Sequence, residues 1–194
     1  METKVTLART PTHLKQILKL QAANVRDALD EPTAVAQGFV TATHSLKMLQ
    51  EMTASAASVI ALRDRRVVGY CLAMTAEYGR TIPVLTAVVD RQDAAIFRGA
   101  PLGESCYLAM GQICVAEEAR GKRLPDRMYK YLRGCYHPRF PYCVTAIDAR
   151  NTRSLRVHER VGFEQVDRFV APDGRDWIIV AWDWRDFTAP ASAP

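Results

Sequence analysis

Apolar and polar positions follow two rhythms along this chain, and each change of rhythm marks an element. Residues 5–8 read as a short strand, after which Pro11-Thr12 opens a helix with Leu14, Ile17, Leu18 and Val25 at three- and four-residue spacing. A second helix is expected over 33–50. The apolar runs 58–62 and 67–73 flank the polar turn Arg63-Asp64-Arg65-Arg66 and predict a hairpin. Residues 78–103 interrupt the pattern with Pro83, Pro101 and glycines, yet carry Ile82, Val84, Leu85, Val88, Val89, Ile96 and Phe97. A structured insertion is expected there, with a helix near 90–97, in a position to wall one side of a substrate site.

The order then becomes regular: strand 107–115, helix 126–133, strand 142–147, helix 152–160, and strands 163–170 and 176–184 about the turn Pro172-Asp173-Gly174. This order predicts an α/β (α+β) domain over 1–188, with a largely antiparallel sheet and one parallel crossover. The stretch 189–194, Ala-Pro-Ala-Ser-Ala-Pro, is expected to be a disordered tail. In the last strand Trp182 and Trp184 share a face and Trp177 takes the other, a pattern for core packing or a dimer seam, and for an aromatic substrate cage only if they reach the cleft.

With 194 residues, the chain suits one domain that buries roughly 70% of its extended surface. Its 48% hydrophobic and 24% charged content is that of a globular protein, and no apolar run approaches the ~20 residues of a membrane span. Met1-Glu2-Thr3-Lys4-Val5 lacks the basic-then-apolar order of a secretory signal, so a cytoplasmic location is expected. The net charge of +5 is modest, and cations alternate with acids except around 120–133. That distribution predicts a local anion site and no nucleic-acid surface. Five cysteines, irregularly spaced and without a Cys-x-x-Cys pair, indicate neither a disulfide framework nor a zinc site.

The densest chemistry lies where the strand ending at Val115 runs through a basic loop into a helix. Arg120-Gly121-Lys122 can turn backbone N–H groups and two cations toward an anion, and the following helix adds its positive dipole end. A diphosphate fits this arrangement; on loop composition alone, a solvated helix start of an ordinary α/β protein is the leading alternative. Met128, Tyr131 and Leu132 form the expected core stripe of that helix, leaving Arg127 and Lys130 outward. Neither a Walker A loop nor a Gly-x-Gly-x-x-Gly fingerprint is present. Farther on, Asn151 reads as an N-cap, worth about 1 kcal/mol. Ser154 sits one turn before His158 on the same face, free to orient it or to bond back to its own helix.

Read together, these segments resemble the acetyl-CoA-binding region of the GCN5-related N-acetyltransferase superfamily. That family carries Arg/Gln-x-x-Gly-x-Gly/Ala after its fourth strand. Arg120-Gly121 matches the opening, whereas Arg123 and Pro125 stand at the two later small positions. The second segment matches more fully, with Asn151, Ser154, His158 and Gly162-Phe163 at the family's spacing. The resemblance implies a mixed sheet with splayed central strands flanked by helices, and acetyl-CoA as cofactor. Backbone groups of Ile113, Cys114 and Val115 would pair with the pantetheine arm. Arg120, Gly121, Lys122 and Arg123, with the helix start Leu124-Pro125-Asp126, would hold the phosphates, and Asn151, Ser154 and His158 would touch the cofactor.

His158 stands where a tyrosine commonly approaches the thioester sulfur, which implies a proton donor to the leaving thiolate; cofactor contact and core packing are the alternatives. Glu77, Glu104 and Gln112 are candidates for deprotonating the amine, with a water-mediated route beside them. An unbroken strand would put Glu104, Gln112 and Cys114 on one face, and a bulge would disrupt that parity. The isolated Cys114 reads as core. The implied activity is direct acetyl transfer to a small-molecule amine or a peptide amine, with no nucleic acid or membrane partner and room for a homodimer. A non-catalytic CoA-binding protein with an altered diphosphate loop is the alternative, and action on another acyl thioester is a remoter one.

Overall fold

The computed structural model describes residues 2–26, 29 and 38–187. Their strands are β1 (Lys4–Leu7), β2 (Val59–Arg63), β3 (Arg66–Thr75), β4 (Ile96–Phe97), β5 (Ala100–Pro101), β6 (Tyr107–Val115), β7 (Tyr142–Asp148), β8 (Glu164–Val170) and β9 (Asp176–Asp183). Between them run helices α1 (Pro11–Ala22), α2 (Leu46–Ser55), α3 (Ala76–Arg80), α4 (Thr86–Ala94), α5 (Leu124–Tyr136) and α6 (Thr152–Val161). Seven strands form one sheet in the order β1-β2-β3-β6-β7-β9-β8, and β4 and β5 form a separate ribbon. Every neighbour in the large sheet is antiparallel except β6–β7, the single parallel crossover, which α5 bridges. This is the mixed α/β sheet that the element order predicts.

Each face of the sheet buries its own core. Ile17, Leu49 and Met52 of α1 and α2 cover one face against Tyr70, Leu72 and Val144. On the other, Met128, Tyr129 and Leu132 of α5 meet Cys71, Phe163 and Trp182. In α5 Tyr129 is fully buried and Tyr131 only half-buried, so the core stripe runs through Tyr129 where Tyr131 is expected from spacing alone. Trp182 and Trp184 do share a face, their rings 5.7 Å apart, while Trp177 lies on the opposite side.

Helix boundaries follow local caps. Thr10 accepts from the His13 N–H ahead of α1, with Pro11 in the first turn. The helix expected over 33–50 is corrected: 33–37 lie outside the described residues, 38–45 are not helical, and α2 starts at Leu46. Ser45 supplies the physical reason, accepting from the Met48 N–H at 3.1 Å and so fixing the helix start. Val25 also leaves the helical pattern, forming an isolated parallel bridge with Val40. Residues 78–103 hold α4 and the β4–β5 ribbon; Arg80 and the Tyr107 hydroxyl both meet Asp93, at 2.7 and 2.8 Å, and Arg98 joins Glu164 and Asp183.

The feature that positions a site is the incomplete pairing of β6 and β7. They run side by side only from Tyr107–Tyr142 to Ala109–Val144. Beyond that, β6 continues along β3 to Val115 and β7 along β9 to Asp148, so the two strands splay. Where the gap opens, the β3–β6 register slips between Gln112 and Met110, leaving Gly111 as the extra residue of a bulge. Past the bulge the parity of faces inverts: Ala109 and Cys114 belong to the same core.

Candidate functional site

The gap opens into a cleft of about 480 Å³ between the end of β6, the loop before α5 and the outer face of α6. Its size falls within the ordinary range of small-ligand sites. Ile113, Cys114 and Val115 line it from the strand, Arg120, Gly121, Arg123, Leu124 and Pro125 from the loop and helix start, and Asn151 and Ser154 from α6. The structure therefore gathers most of the residues singled out from sequence into one concavity. Lys122 and Asp126 stand outside its lining, and His158 reaches only a smaller neighbouring cleft.

Loop conformation explains much of the sequence pattern. Gly121 and Arg123 both take positive φ, 78° and 49°. Arg123 is the N-cap of α5 and makes no side-chain cap bond, so an L-residue occupies a left-handed position at a cost of about 1 kcal/mol. The first N–H groups of α5 have no acceptor within the helix, and Pro125 contributes none, which leaves those of Leu124 and Asp126 as donors there. Arg120 is already engaged: Nε donates to the Val115 carbonyl at 3.2 Å and Nη2 to Asn24 Oδ1 at 2.8 Å. Its work is to tie the loop to the strand end and to the turn after α1. Asp126 pairs with Arg160 and joins the start of α5 to the end of α6.

Asn151 caps α6 as expected, its Oδ1 accepting from the Ser154 N–H at 3.1 Å. Its Nδ2 also donates to the Phe39 carbonyl at 2.9 Å, holding the segment after Gly38 over the cleft. Cys114 is buried, and burial pushes its thiol up to about 11, so it stays protonated as a core cysteine.

His158, expected from the resemblance as a proton donor to the thiolate, is enclosed on all sides. The ring is 1% exposed and packs against Tyr129 and Phe163. Nδ1 lies 2.7 Å from the Ser154 carbonyl, which can only accept, so Nδ1 carries the proton. Nε2 then accepts from the Tyr129 hydroxyl at 2.5 Å. Burial lowers the imidazole to about 4, keeping it neutral at pH 7 with both nitrogens committed.

The base candidates separate. Glu77 is exposed in the first turn of α3, and Glu104 is exposed in a turn before β6. Neither lines either cleft, because the chain bends into a helix after Thr75 and β6 begins only at Tyr107. Gln112 lies at the smaller cleft, buried. Its Oε1 accepts from the Tyr70 hydroxyl at 2.6 Å and from Gln21 Nε2 at 2.8 Å, while its Nε2 donates to the Ala42 carbonyl at 3.0 Å. Glu104 and Gln112 do not share a strand face, since the bulge intervenes. None of residues 78–103 lines either cleft.

Several participants escape a sequence reading. Gln21 also donates to His44 Nδ1 at 2.7 Å and accepts from its backbone N–H at 2.8 Å, and burial lowers the His44 imidazole below its ordinary value. Asp148 lines the smaller cleft; burial would raise its carboxyl, but hydrogen bonds and charge from Arg150 hold it below the usual range. Arg153, Arg156 and Arg160 line the larger cleft from α6, a recurrence at i, i+3 and i+7 that is visible in the sequence as one helical face.

No protein-family model matches the chain, and no curated protein does. Solved structures do. The Drosophila melanogaster polyamine N-acetyltransferase superposes with a TM-score of 0.67 at 13% identity, covering 94% of this chain and 100% of that one. The ribosomal-protein-S18-alanine N-acetyltransferase from Escherichia coli gives 0.62 at 11% identity, with 98% of each chain covered. A chain of the NatC complex bound to a Gag peptide and CoA gives 0.64 at 11% identity over 94% of this chain and 99% of that one. With the splayed β6–β7 pair and the loop-to-α5 turn, these superpositions identify the fold: this chain has the fold of the GCN5-related N-acetyltransferase superfamily.

Proposed function

We propose that the protein is an acetyl-CoA-dependent N-acetyltransferase that moves the acetyl group directly to a primary amine of a small molecule or a peptide. The observation that carries this reading is the splayed β6–β7 gap opening into a cationic cleft at the start of α5. The residues suit the cofactor's chemistry. An unpaired strand edge at Ile113–Val115 matches the amides of a pantetheine arm, and helix-start N–H groups beside Arg123 match a diphosphate. Structural relatives bearing the fold act on polyamines and on a protein alanine, and one holds CoA and a peptide, which supports the same reading here.

Acetyl-CoA, when bound, supplies an activated acetyl thioester. The chain's own contribution is positional. Arg120 holds the loop against β6, Asn151 holds both α6 and the strap at Phe39, and the Gln21–Gln112–Tyr70 network fixes the strand where the gap opens. Gln112 is an amide with its acceptor and one donor engaged, so it orients and does not take a proton. Amine deprotonation by water fits this set of groups best, because Glu77 and Glu104 lie outside both clefts.

The buried, neutral His158 favours one second reading, a CoA-binding protein without turnover. Incubation with acetyl-CoA and panels of polyamines, amino acids and peptides, read by mass spectrometry of the acceptor, separates the two. Acetylated product supports transfer; tight binding of acetyl-CoA with no product on any amine supports the binding protein. Mass detection is preferable to a thiol dye, since Cys106 is exposed and free.

A further inference from the structure

We propose that His44 is a positioning residue for the β6–β7 gap: its neutral ring, acting through Gln21, holds Gln112 so that this side chain can meet a bound molecule only as a hydrogen-bond donor. The hydrogen-bond chain is a matter of geometry; its bearing on turnover rests on the acetyl-transfer reading above.

Two backbone groups of the segment before α2 fix the polarity of the chain. The His44 N–H can only donate, and it meets Gln21 Oε1 at 2.8 Å. The Ala42 carbonyl can only accept, and it meets Gln112 Nε2 at 3.0 Å. With both amides oriented in this way, Gln21 Nε2 is left to donate twice, to Gln112 Oε1 at 2.8 Å and to His44 Nδ1 at 2.7 Å. The Tyr70 hydroxyl donates to the same Gln112 oxygen at 2.6 Å. Turning either amide over would set like against like, the Gln21 N–H against the His44 N–H or the Gln112 oxygen against the Ala42 oxygen. Gln21 and Gln112 are buried, where an unmade bond is costly.

Both acceptor positions of Gln112 Oε1 are taken, whereas Nε2 carries a second N–H beyond the one given to Ala42. Gln112 borders the smaller cleft, so what it can offer there is an N–H, suited to a carbonyl oxygen and unsuited to an ammonium group. At the other end of the chain, His44 Nδ1 must accept, which makes the ring neutral with its proton on Nε2. It is the tautomeric opposite of His158, whose Nδ1 carries the proton. A protonated His44 ring would turn an N–H toward the Gln21 amide. That conflict is relieved only by moving the ring or by turning an amide against its backbone partner, and either loosens residues 42–44 from α1 and β6.

Among the described residues no charged group sets this neutral state; burial alone lowers the imidazole. Tyr70 and Cys114, the titratable neighbours along the chain, are held protonated by burial, the thiol pushed up to about 11. Arg120, whose charge reaches Cys114, is engaged by Val115 and Asn24. Lys47, in the first turn of α2, is exposed and lies 3.9 Å from Glu51.

The test is nitrogen-15 NMR of the full chain without ligand, on the unmodified protein and on His44→Asn, in which a side-chain oxygen that does not titrate replaces Nδ1 as acceptor. At neutral pH the His44 ring is expected to show a bare Nδ1 and a protonated Nε2. As pH falls, the side-chain amide signals of Gln21 and Gln112 should shift with the His44 midpoint in the unmodified protein and stay level through it in His44→Asn. A proton on Nδ1 at neutral pH, or amide signals that ignore the ring's titration, overturns the proposal. Turnover of an accepted amine, read by mass spectrometry, ties the chain to function, with circular dichroism checking that each variant folds. At neutral pH His44→Leu should lower kcat about tenfold with KM for acetyl-CoA within about twofold, and His44→Asn should restore kcat to within about threefold. The ratio of the His44→Asn rate to that of the unmodified protein cancels the acceptor's own ionisation, and it should rise as pH falls through the ring's midpoint. A ratio that stays flat there, or His44→Asn as slow as His44→Leu, overturns the positioning role. If no amine is acetylated by the folded protein, the transferase reading fails, while the NMR result still decides the hydrogen-bond chain.

Discussion

The Tyr129 hydroxyl lies 2.5 Å from Nε2 of His158 and so links α5 to α6 beneath the cleft. Both rings are fully buried, in a cluster with Phe163 and Trp182. The bond uses the only lone pair of a neutral imidazole whose proton is held by Ser154. The pair thus forms a strut between two helices.

That strut predicts a pH signature in stability. His158 is lowered to about 4 by burial, whereas in the unfolded chain it titrates near 6.5. Above pH 6.5 both states are neutral and the full stability is present. As pH falls from 6.5 to 4, the unfolded chain takes up the proton first, and stability declines by about 3 kcal/mol from this residue alone. Urea midpoints across that range should fall less steeply in His158→Phe than in the unmodified protein. A carbon-13 label on the His158 ring should show no titration between pH 6 and 8; a midpoint in that window would restore a proton-donor role.

How far the sequence speaks depends on the range of the interaction. The runs at Tyr107–Val115, Tyr142–Asp148 and Thr152–Val161 are legible because pattern and caps are local. Membership of the cleft is legible too, because the β6–α5 and β7–α6 turns each keep their residues together. The orientation of His158 is not, since it depends on Tyr129, 29 residues earlier on another helix. Nor is the role of Gln112, whose partners Gln21 and Tyr70 are 91 and 42 residues away and whose face depends on the Gly111 bulge. The start of α2 is a different case: Ser45 is a local signal, outweighed in the pattern by apolar residues that precede it.

The Gln112 network predicts a loss that is structural first. Gln112→Leu removes the acceptor of two buried donors, the Tyr70 hydroxyl and Gln21 Nε2. Stranding them should cost about 2–4 kcal/mol in chemical unfolding. Gln112→Glu keeps an acceptor but buries a charge, so it should be destabilised at pH 7 and partly recover as pH falls and the carboxyl protonates. A Glu variant as stable as the unmodified protein at pH 7 would mean that the network is open to water.

Gly162 and Gly134 should respond in opposite directions to the same change. Gly162 holds φ +120°, and a Cβ built there would lie 2.7 Å from Nε1 of Trp182, inside the core that receives Phe163. Gly162→Ala is therefore expected to lose about 2–4 kcal/mol from backbone strain and overlap together. Gly134 lies inside α5, and a methyl group added there would meet nothing within 4 Å, so Gly134→Ala should gain up to about 1 kcal/mol. Thermal and urea unfolding of the two single variants checks both signs.

Arg123→Gly offers the sharpest separation of folding from binding. At φ 49° and ψ 34° the position suits glycine, and removing the Cβ relieves left-handed strain worth about 1 kcal/mol, offset in part by the greater freedom of glycine in the unfolded chain. Stability should therefore hold or rise slightly. If the Arg123 guanidinium meets the diphosphate, affinity for CoA should fall about tenfold at low salt, with the loss shrinking as salt screens the charge. Dephospho-CoA should lose by the same factor, because it retains the diphosphate. A variant that is both less stable and unchanged in affinity would mean that Arg123 serves the loop's shape and not the ligand's charge.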